Sequence, residues 1–182
     1  MNIGKKLLSL LTVFCLTLSL VPTVALAATQ TSKIVIGDYS NGITLGQEKP
    51  YLVNNSTTAT SVEPQTGGYI YFDVSTDTVE LHGYDNRSYS VNRGIYANSG
   101  DLTSGSLTIK LFGNNYIKSA SNGIYSCGNL TIDGPGSLTL SASTNGSTIY
   151  ARNSMMIQDG AKVTVPNGVY GQAIDSSGGP LT

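Results

Sequence analysis

Short apolar triplets of three kinds recur in a fixed order along the second half of the chain. The first kind comprises Gly94-Ile95-Tyr96, Gly123-Ile124-Tyr125 and Thr148-Ile149-Tyr150, with Gln172-Ala173-Ile174 in the place of a fourth. The second comprises Leu107–Ile109, Leu130–Ile132 and Met155–Ile157, and the third Asn115–Ile117, Leu138–Leu140 and Val163–Val165. Within each kind, equivalent positions recur at a nearly constant interval of roughly 25 residues, which indicates a repeat architecture.

Each triplet has the pattern of a short strand. Alternate residues of a strand face opposite sides, so Leu107 and Ile109 are expected to point inward and Thr108 outward. The pairs Asn122-Gly123, Asn145-Gly146 and Asn167-Gly168 fall between strands, where Asn and Gly tolerate positive φ. An antiparallel sandwich would not need such repetition, whereas a parallel solenoid stacks like residues about 4.8 Å apart. Three inward columns per coil therefore predict a three-faced parallel β-helix.

The segment 1–27 has the pattern of a secretory signal peptide. Lys5 and Lys6 precede an apolar run from Leu7 to Leu20, and Ala25-Leu26-Ala27 supplies the small residues of a cleavage site. The alternative is a membrane anchor, but the cleavage pattern follows the apolar run directly. We expect a mature chain that begins at Ala28, is secreted, and works outside the cell or on its surface.

Composition limits the partners of that mature chain. Ten Lys and Arg residues less the two in the leader leave eight against eleven Asp and Glu, a net charge of −3. This weakly acidic balance predicts neither nucleic-acid binding nor a polybasic membrane surface. Cys127 is the one cysteine left after cleavage, so the mature chain cannot form an intrachain disulfide.

The part before the repeats is less regular. Lys33–Ile36, Ile43–Leu45, Tyr51–Val53, 69–73 and 78–81 are strand candidates, and Ser56–Gly68 is a loop rich in Ser, Thr, Pro and Gly. The end coil of a solenoid exposes strand edges that need a cap. We therefore predict an irregular β cap with its loop over 28–66 and a β-helix of three to four coils over 67–182. The carboxyl end lacks a capping pattern, so either the chain stops on a raw coil or it is a shortened form of a longer protein.

The stretch from Gly67 to Ile174 resembles a known kind of protein. The segments "GYIYFDVSTDTVELHGY", "RGIYANSGDL", "LTIKLFGNNYI", "GIYSCGNLTIDGPGSLTL" and "MMIQDGAKVTV" are similar to the repeats of secreted bacterial surface proteins with carbohydrate-binding-domain-type repeats. Those proteins are related to clostridial polysaccharide-binding right-handed parallel β-helices. The resemblance implies a right-handed β-helix that binds acidic or cellulosic polysaccharide, sometimes with calcium. The chain departs from longer relatives in its few coils and in showing no wall-anchoring module.

The tyrosines of the first triplets are the candidate binding residues. Because the isoleucine of each triplet points inward, Tyr96, Tyr125 and Tyr150 should project outward in one column. Aromatic rings offer partly apolar platforms with a polar tip, on which the C–H faces of sugars pack. The alternative is a ladder of like residues whose only role is structural.

Other candidate chemistry is sparse. Asp133 and Asp159 follow strands of neighbouring coils and could contribute to a calcium site, although Asp before Gly is also common in turns. His82, the single histidine, is expected to be solvated, and Asp73 and Asp77 to serve a turn. No facing pair of carboxylates is evident for glycosidase chemistry.

Three functions follow from these observations. The leading prediction is a non-catalytic extracellular polysaccharide-binding module with no cofactor, apart from possible calcium. The second is a structural or adhesive surface solenoid without a defined sugar ligand. The third, a polysaccharide lyase or hydrolase, is the least favoured, and we predict that the chain is not an enzyme.

Overall fold

The chain folds into an all-β structure with parallel sheet segments. The computed structural model describes residues 32–38, 40–87, 91–143, 147–166 and 174–182. The predicted leader 1–27, the start at Ala28, the turns Asn145-Gly146 and Asn167-Gly168, and Gln172-Ala173 lie outside these residues. Within the described ranges, no helix has the length and hydrophobicity that a membrane span requires.

Fifteen strands and one short 3₁₀ helix make up the regular structure of the described residues. The helix covers Ser99–Asp101 and lies between β6 and β7. The strands are β1 Lys33–Ile36, β2 Ile43–Gly46, β3 Tyr51–Val53, β4 Tyr69–Asp73, β5 Thr78–His82, β6 Ile95–Ala97, β7 Ser106–Phe112, β8 Asn114–Ser119, β9 Ile124–Ser126, β10 Asn129–Asp133, β11 Ser137–Ala142, β12 Ile149–Ala151, β13 Met155–Ile157, β14 Lys162–Thr164 and β15 Ile174–Ser176.

Each kind of triplet forms its own sheet. The first sheet has the order β15-β12-β9-β6-β1-β2, the second β13-β10-β7-β5-β4-β3 and the third β14-β11-β8. Among strands β5 to β15, sheet neighbours are parallel and in register: Leu130 pairs with both Leu107 and Met155, and Leu138 with both Asn115 and Val163. Ile124 pairs in the same way with Ile95 and Ile149, and Ile149 with Ile174. The predicted stacking of equivalent residues is confirmed.

The alternation of inward and outward residues is also confirmed. Leu107 and Ile109 are buried, whereas Thr108 between them is half-buried, and Leu130, Thr131 and Ile132 repeat this pattern. Buried aliphatic side chains of all three sheets form one hydrophobic cluster. Because the side chains alternate, one residue in two is left for the outer surface of each strand.

The amino-terminal strands match the predicted candidates and pair antiparallel. Strands β1 and β2 pair with each other, and β1 continues the first sheet beside β6. Strands β3, β4 and β5 form an antiparallel meander, and β5 then pairs parallel with β7. In the second sheet, pairing therefore changes from antiparallel to parallel at β5. The predicted boundary at residue 67, between the irregular cap and the β-helix, stays a prediction.

The Asn122-Gly123 turn works differently from the prediction. We expected positive φ, but neither residue has it. A Cβ added to Gly123 would lie 2.8 Å from Leu140 Cδ2 and 3.1 Å from the Thr148 carbonyl oxygen. Glycine is needed here because two neighbouring chain segments approach closely.

The length of the link from the first to the second sheet varies between repeats. The link from Ile95 to Leu107 is twice as long as the links from Ile124 to Leu130 and from Ile149 to Met155. This longer link holds the 3₁₀ helix and residues 102–105.

Buried Asp77 holds the backbone of the longer link. Its carboxylate accepts hydrogen bonds from the backbone nitrogens of Thr103 at 3.2 Å and Ser104 at 2.6 Å. Asp77 also has positive φ (52°), as suits a turn residue. It therefore does more than serve its own turn, because it fixes a segment of the neighbouring repeat.

Ile124→Asp should unfold the protein, whereas Thr131→Asp should be mild. Ile124 is fully buried, and an unpaired buried charge costs several kcal/mol, a large part of an ordinary folding free energy of about 5–15 kcal/mol. Thr131 is half-buried on the outer face, where substitutions change stability by about 0.5 kcal/mol. Circular dichroism melting of both variants checks this. Equal melting temperatures would show that the inward and outward assignment is wrong.

Asp77→Asn should destabilise the protein near neutral pH and much less in acid. Burial alone would raise the pKa of Asp77, but hydrogen bonds from Ser32, Ser104 and Thr103 outweigh it and hold the pKa below its usual value. A lowered carboxyl pKa contributes stability above the unfolded value of about 3.9, and this stability is lost as the pH falls through the folded value. We expect a loss of about 1.5–3 kcal/mol near neutral pH. Urea melts across the pH range should show the two proteins converging in acid, and a constant difference would contradict the assignment.

Candidate functional site

Tyr96, Tyr125 and Tyr150 form a tyrosine ladder on the outer face of the first sheet. They occupy the central positions of β6, β9 and β12, where each tyrosine pairs in register with the next. The ring centroids of Tyr96 and Tyr125 are 5.2 Å apart and those of Tyr125 and Tyr150 are 4.7 Å apart, with interplanar angles of 17° and 21°. The predicted outward, stacked column is confirmed.

The ladder is bounded at both ends by residues of the same sheet. Val35 of β1 pairs with Tyr96, and Asp175 of β15 pairs with Tyr150. The Tyr150 hydroxyl lies 3.0 Å from Ser177 Oγ. The column thus consists of three tyrosines, with the apolar Val35 at one end and the carboxylate of Asp175 at the other.

Stacking decides which part of the ladder a ligand could touch. All three tyrosines are half-buried, and both faces of the Tyr125 ring are turned towards neighbouring rings. Burial raises the pKa of Tyr125 and of Tyr96, and the nearby Cys127 adds to both increases. The accessible part is therefore a row of ring edges and phenol groups in their neutral, hydrogen-bonding form, and not the set of open ring faces that the sequence suggested.

Arg93 places a positive charge beside this row. Its guanidinium carbon lies 5.0 Å from the ring centroid of Tyr96 and 5.4 Å from that of Tyr125, within the range of a cation–π contact. Its Nε is buried without a hydrogen-bond partner among the described residues. Sequence reasoning missed Arg93, since nothing in the pattern before β6 shows that the segment folds against the ladder.

The structure does not bring a calcium-binding cluster together around Asp133 and Asp159. Asp133 ends β10 and pairs in register with Lys110 of β7. Asp159 is exposed in the turn after β13 with a φ of 53°. Across the described part of the chain, no group of three or more His, Cys, Asp or Glu residues could hold a metal ion. Calcium binding by these two residues stays a prediction, and Lys110 beside Asp133 counts against it.

His82 is partly exposed, as expected for a solvated side chain, but its ring also takes part in a stack that the sequence did not predict. Its ring stacks between Tyr69 and Phe112, with centroid separations of 4.6 Å and 4.5 Å. Its Nε2 lies 2.9 Å from Glu80 Oε2. Tyr51 and Tyr71 extend the same row, and we call the five residues Tyr51, Tyr69, Tyr71, His82 and Phe112 the aromatic strip of the second sheet.

The sequence contains a pattern that predicts part of the aromatic strip, but it is visible only when β5 is aligned with β7, which belongs to the repeats. His82 and Phe112 pair in register because "TVELH" of β5 lies beside "TIKLF" of β7. The repeat columns begin only at β6 and β7, so the period does not reach β5. Aligning Val79 with Ile109 would have placed the two rings side by side.

No family model, no curated protein and no solved structure matches this chain.

Proposed function

We propose that this chain is a non-catalytic polysaccharide-binding module of a secreted or surface-attached bacterial protein. The single observation that carries the proposal is the tyrosine ladder with Arg93 packed against it. The proposed relationship to carbohydrate-binding β-helix proteins rests on the repeat motifs alone. The assignment to the outside of the cell rests on the leader-like pattern of residues 1–27.

We propose that the repeats wind into a right-handed, three-faced β-helix capped by the antiparallel amino-terminal strands. Each repeat supplies one strand to each of the three sheets, and equivalent strands pair in parallel. Crossover connections between parallel strands are right-handed in about 98% of cases. Antiparallel β1–β4 complete the edges that β5 and β6 would otherwise expose.

A polysaccharide fits the ladder through its hydroxyl and carboxylate groups. Neighbouring rings are 4.7 Å and 5.2 Å apart, about one strand spacing, so successive sugars could meet successive phenols. Arg93 adds a cation whose guanidinium geometry matches carboxylates. Acidic polysaccharides such as polygalacturonate are therefore the ligands that this surface favours.

A structural or adhesive solenoid is the second candidate. The face-to-face stacking of the three rings favours it, because each stacked pair stabilises the sheet by about 0.5–1.5 kcal/mol without any ligand. Lyase or hydrolase chemistry is the least favoured, since the titratable groups that act on Tyr125 are Cys127, Tyr150, Arg93 and Arg152, with no pair of carboxylates among them.

Tyr125→Phe and Tyr125→Ala together separate the two candidates. The Phe variant keeps the stacked ring and loses the hydroxyl, so its melting temperature should stay near that of the parent. Its affinity for polygalacturonate should fall about twofold to tenfold, the effect of one hydrogen bond. The Ala variant should lose both affinity and about 1–3 kcal/mol of stability. Affinity electrophoresis and thermal melts measure the two effects.

Arg93→Gln provides the matched test of charge. Retention in gels with polygalacturonate should fall, while retention with neutral xylan should not change. Unchanged retention of Tyr125→Phe and Arg93→Gln on every glycan that binds the parent would leave the structural solenoid as the better explanation. Release of reducing or unsaturated sugars during these assays would instead establish an enzyme.

A further inference from the structure

The aromatic strip is a second surface with a geometry unlike that of the tyrosine ladder. Its five rings lie on β3, β4, β5 and β7 and cross the second sheet from strand to strand. The pairing of Tyr51 with Tyr71, of Tyr69 with His82 and of His82 with Phe112 fixes their order. Phe112 is 38% exposed and the other four are half-buried. The strip is thus accessible along its length.

The strip changes direction in its middle. Tyr69, His82 and Phe112 stack with interplanar angles of 12° and 14°, and Tyr51 and Tyr71 form a second pair at 28°. Between these two groups, Tyr51 and Tyr69 meet at 67° with their centroids 6.0 Å apart. A ligand at this corner would meet one ring by its face and another by its edge, which the uniformly stacked ladder does not offer.

Carboxylates set the charge around the corner. Tyr51, Tyr69 and Tyr71 all have raised pKa values, first because they are partly desolvated and then because of nearby carboxylates. Glu63 and Glu80 act on all three phenols, and Asp73 acts on Tyr71 as well. Glu80 is held in place by its hydrogen bond with His82. Lys110 of β7 pairs in register with Glu80 and adds one cation to the same face. Three carboxylates against one ammonium leave the corner negative, in contrast to the ladder with Arg93.

We propose that the aromatic strip is a second glycan-binding surface whose ligand is a polysaccharide with free, protonated amino groups. An ammonium group is attracted to aromatic rings and forms charge-assisted hydrogen bonds with carboxylates. The C–H faces of amino sugars pack on the same rings. This inference depends on the proposed function only in taking the ligand to be a glycan, and it uses none of the ladder residues.

Titration calorimetry of the full mature chain with a β-linked glucosamine hexasaccharide, in mildly acidic buffer, tests this inference. The same hexasaccharide with N-acetylated amines is the matched probe, because it keeps the sugar rings and removes the charge. The glucosamine chain should bind at least about tenfold more tightly than its acetylated form. A lysine oligomer of equal charge tests whether the sugar rings contribute, and it should bind more weakly.

Two variants locate the binding, and two controls match them. Tyr69→Ala removes one wall of the corner, and Glu63→Gln removes a charge in a loop without removing a ring. Each should weaken glucosamine binding about tenfold or more. Met156→Ala shortens an exposed apolar side chain on the same sheet, and Asp159→Asn removes a carboxylate from an exposed turn. Both controls should bind like the parent.

Several results would overturn the proposal. Equal binding of the free and acetylated sugars would exclude the role of charge, and equal binding of the lysine oligomer would point to a peptide ligand. Unchanged affinity in Glu63→Gln would overturn it even if Tyr69→Ala failed to fold. The weaker polygalacturonate binding of Tyr125→Phe is independent of these outcomes, so failure at one surface is distinguishable from failure at the other.

Discussion

In-register parallel pairing of equivalent strands is the interaction on which the rest of the structure depends. Backbone hydrogen bonds along the stack place Leu on Leu, Ile on Ile and Tyr on Tyr. Such stacking brings neighbouring chain segments very close together between the strands. Glycine is needed at Gly94 and Gly128, because a side chain there would overlap the carbonyl of the neighbouring segment. A chain with 12% charged residues and one cysteine in its described part can be held together in this way, because each strand satisfies the backbone of the next.

Strand pairing produces two aromatic rows of opposite electrostatic character, the ladder from parallel pairs and the strip mainly from antiparallel pairs. The tyrosine ladder arises from repetition of one residue, and Arg93 gives it a positive neighbour. The aromatic strip arises where unlike strands meet, and the carboxylates of Glu63, Glu80 and Asp73 near its tyrosines outnumber the ammonium of Lys110. On the functions proposed above, the two surfaces of this small protein hold different polymers, or different parts of one polymer that carries both charges.

Sequence reasoning was strongest where residues repeat. The columns, their register and the inward positions of Ile124 and Leu130 follow from period and alternation, since identical environments select similar residues. It failed where a contact joins segments that do not resemble each other. His82 between Tyr69 and Phe112, Arg93 beside the ladder, and Asp77 under the long link are all contacts of this kind.

The variable link between the first and second sheets has a consequence for how such a protein can evolve. The extra chain between Ile95 and Leu107 leaves the register of the neighbouring strands intact, because it departs from the stack and returns to it at the same place. The step from the second to the third sheet, by contrast, has the same length in every repeat, from Leu107 to Asn115, Leu130 to Leu138 and Met155 to Val163. Insertions in the link between the first and second sheets can therefore diversify the surface without changing the paired strands. Duplication of a whole repeat can lengthen the tyrosine ladder by one tyrosine at a time.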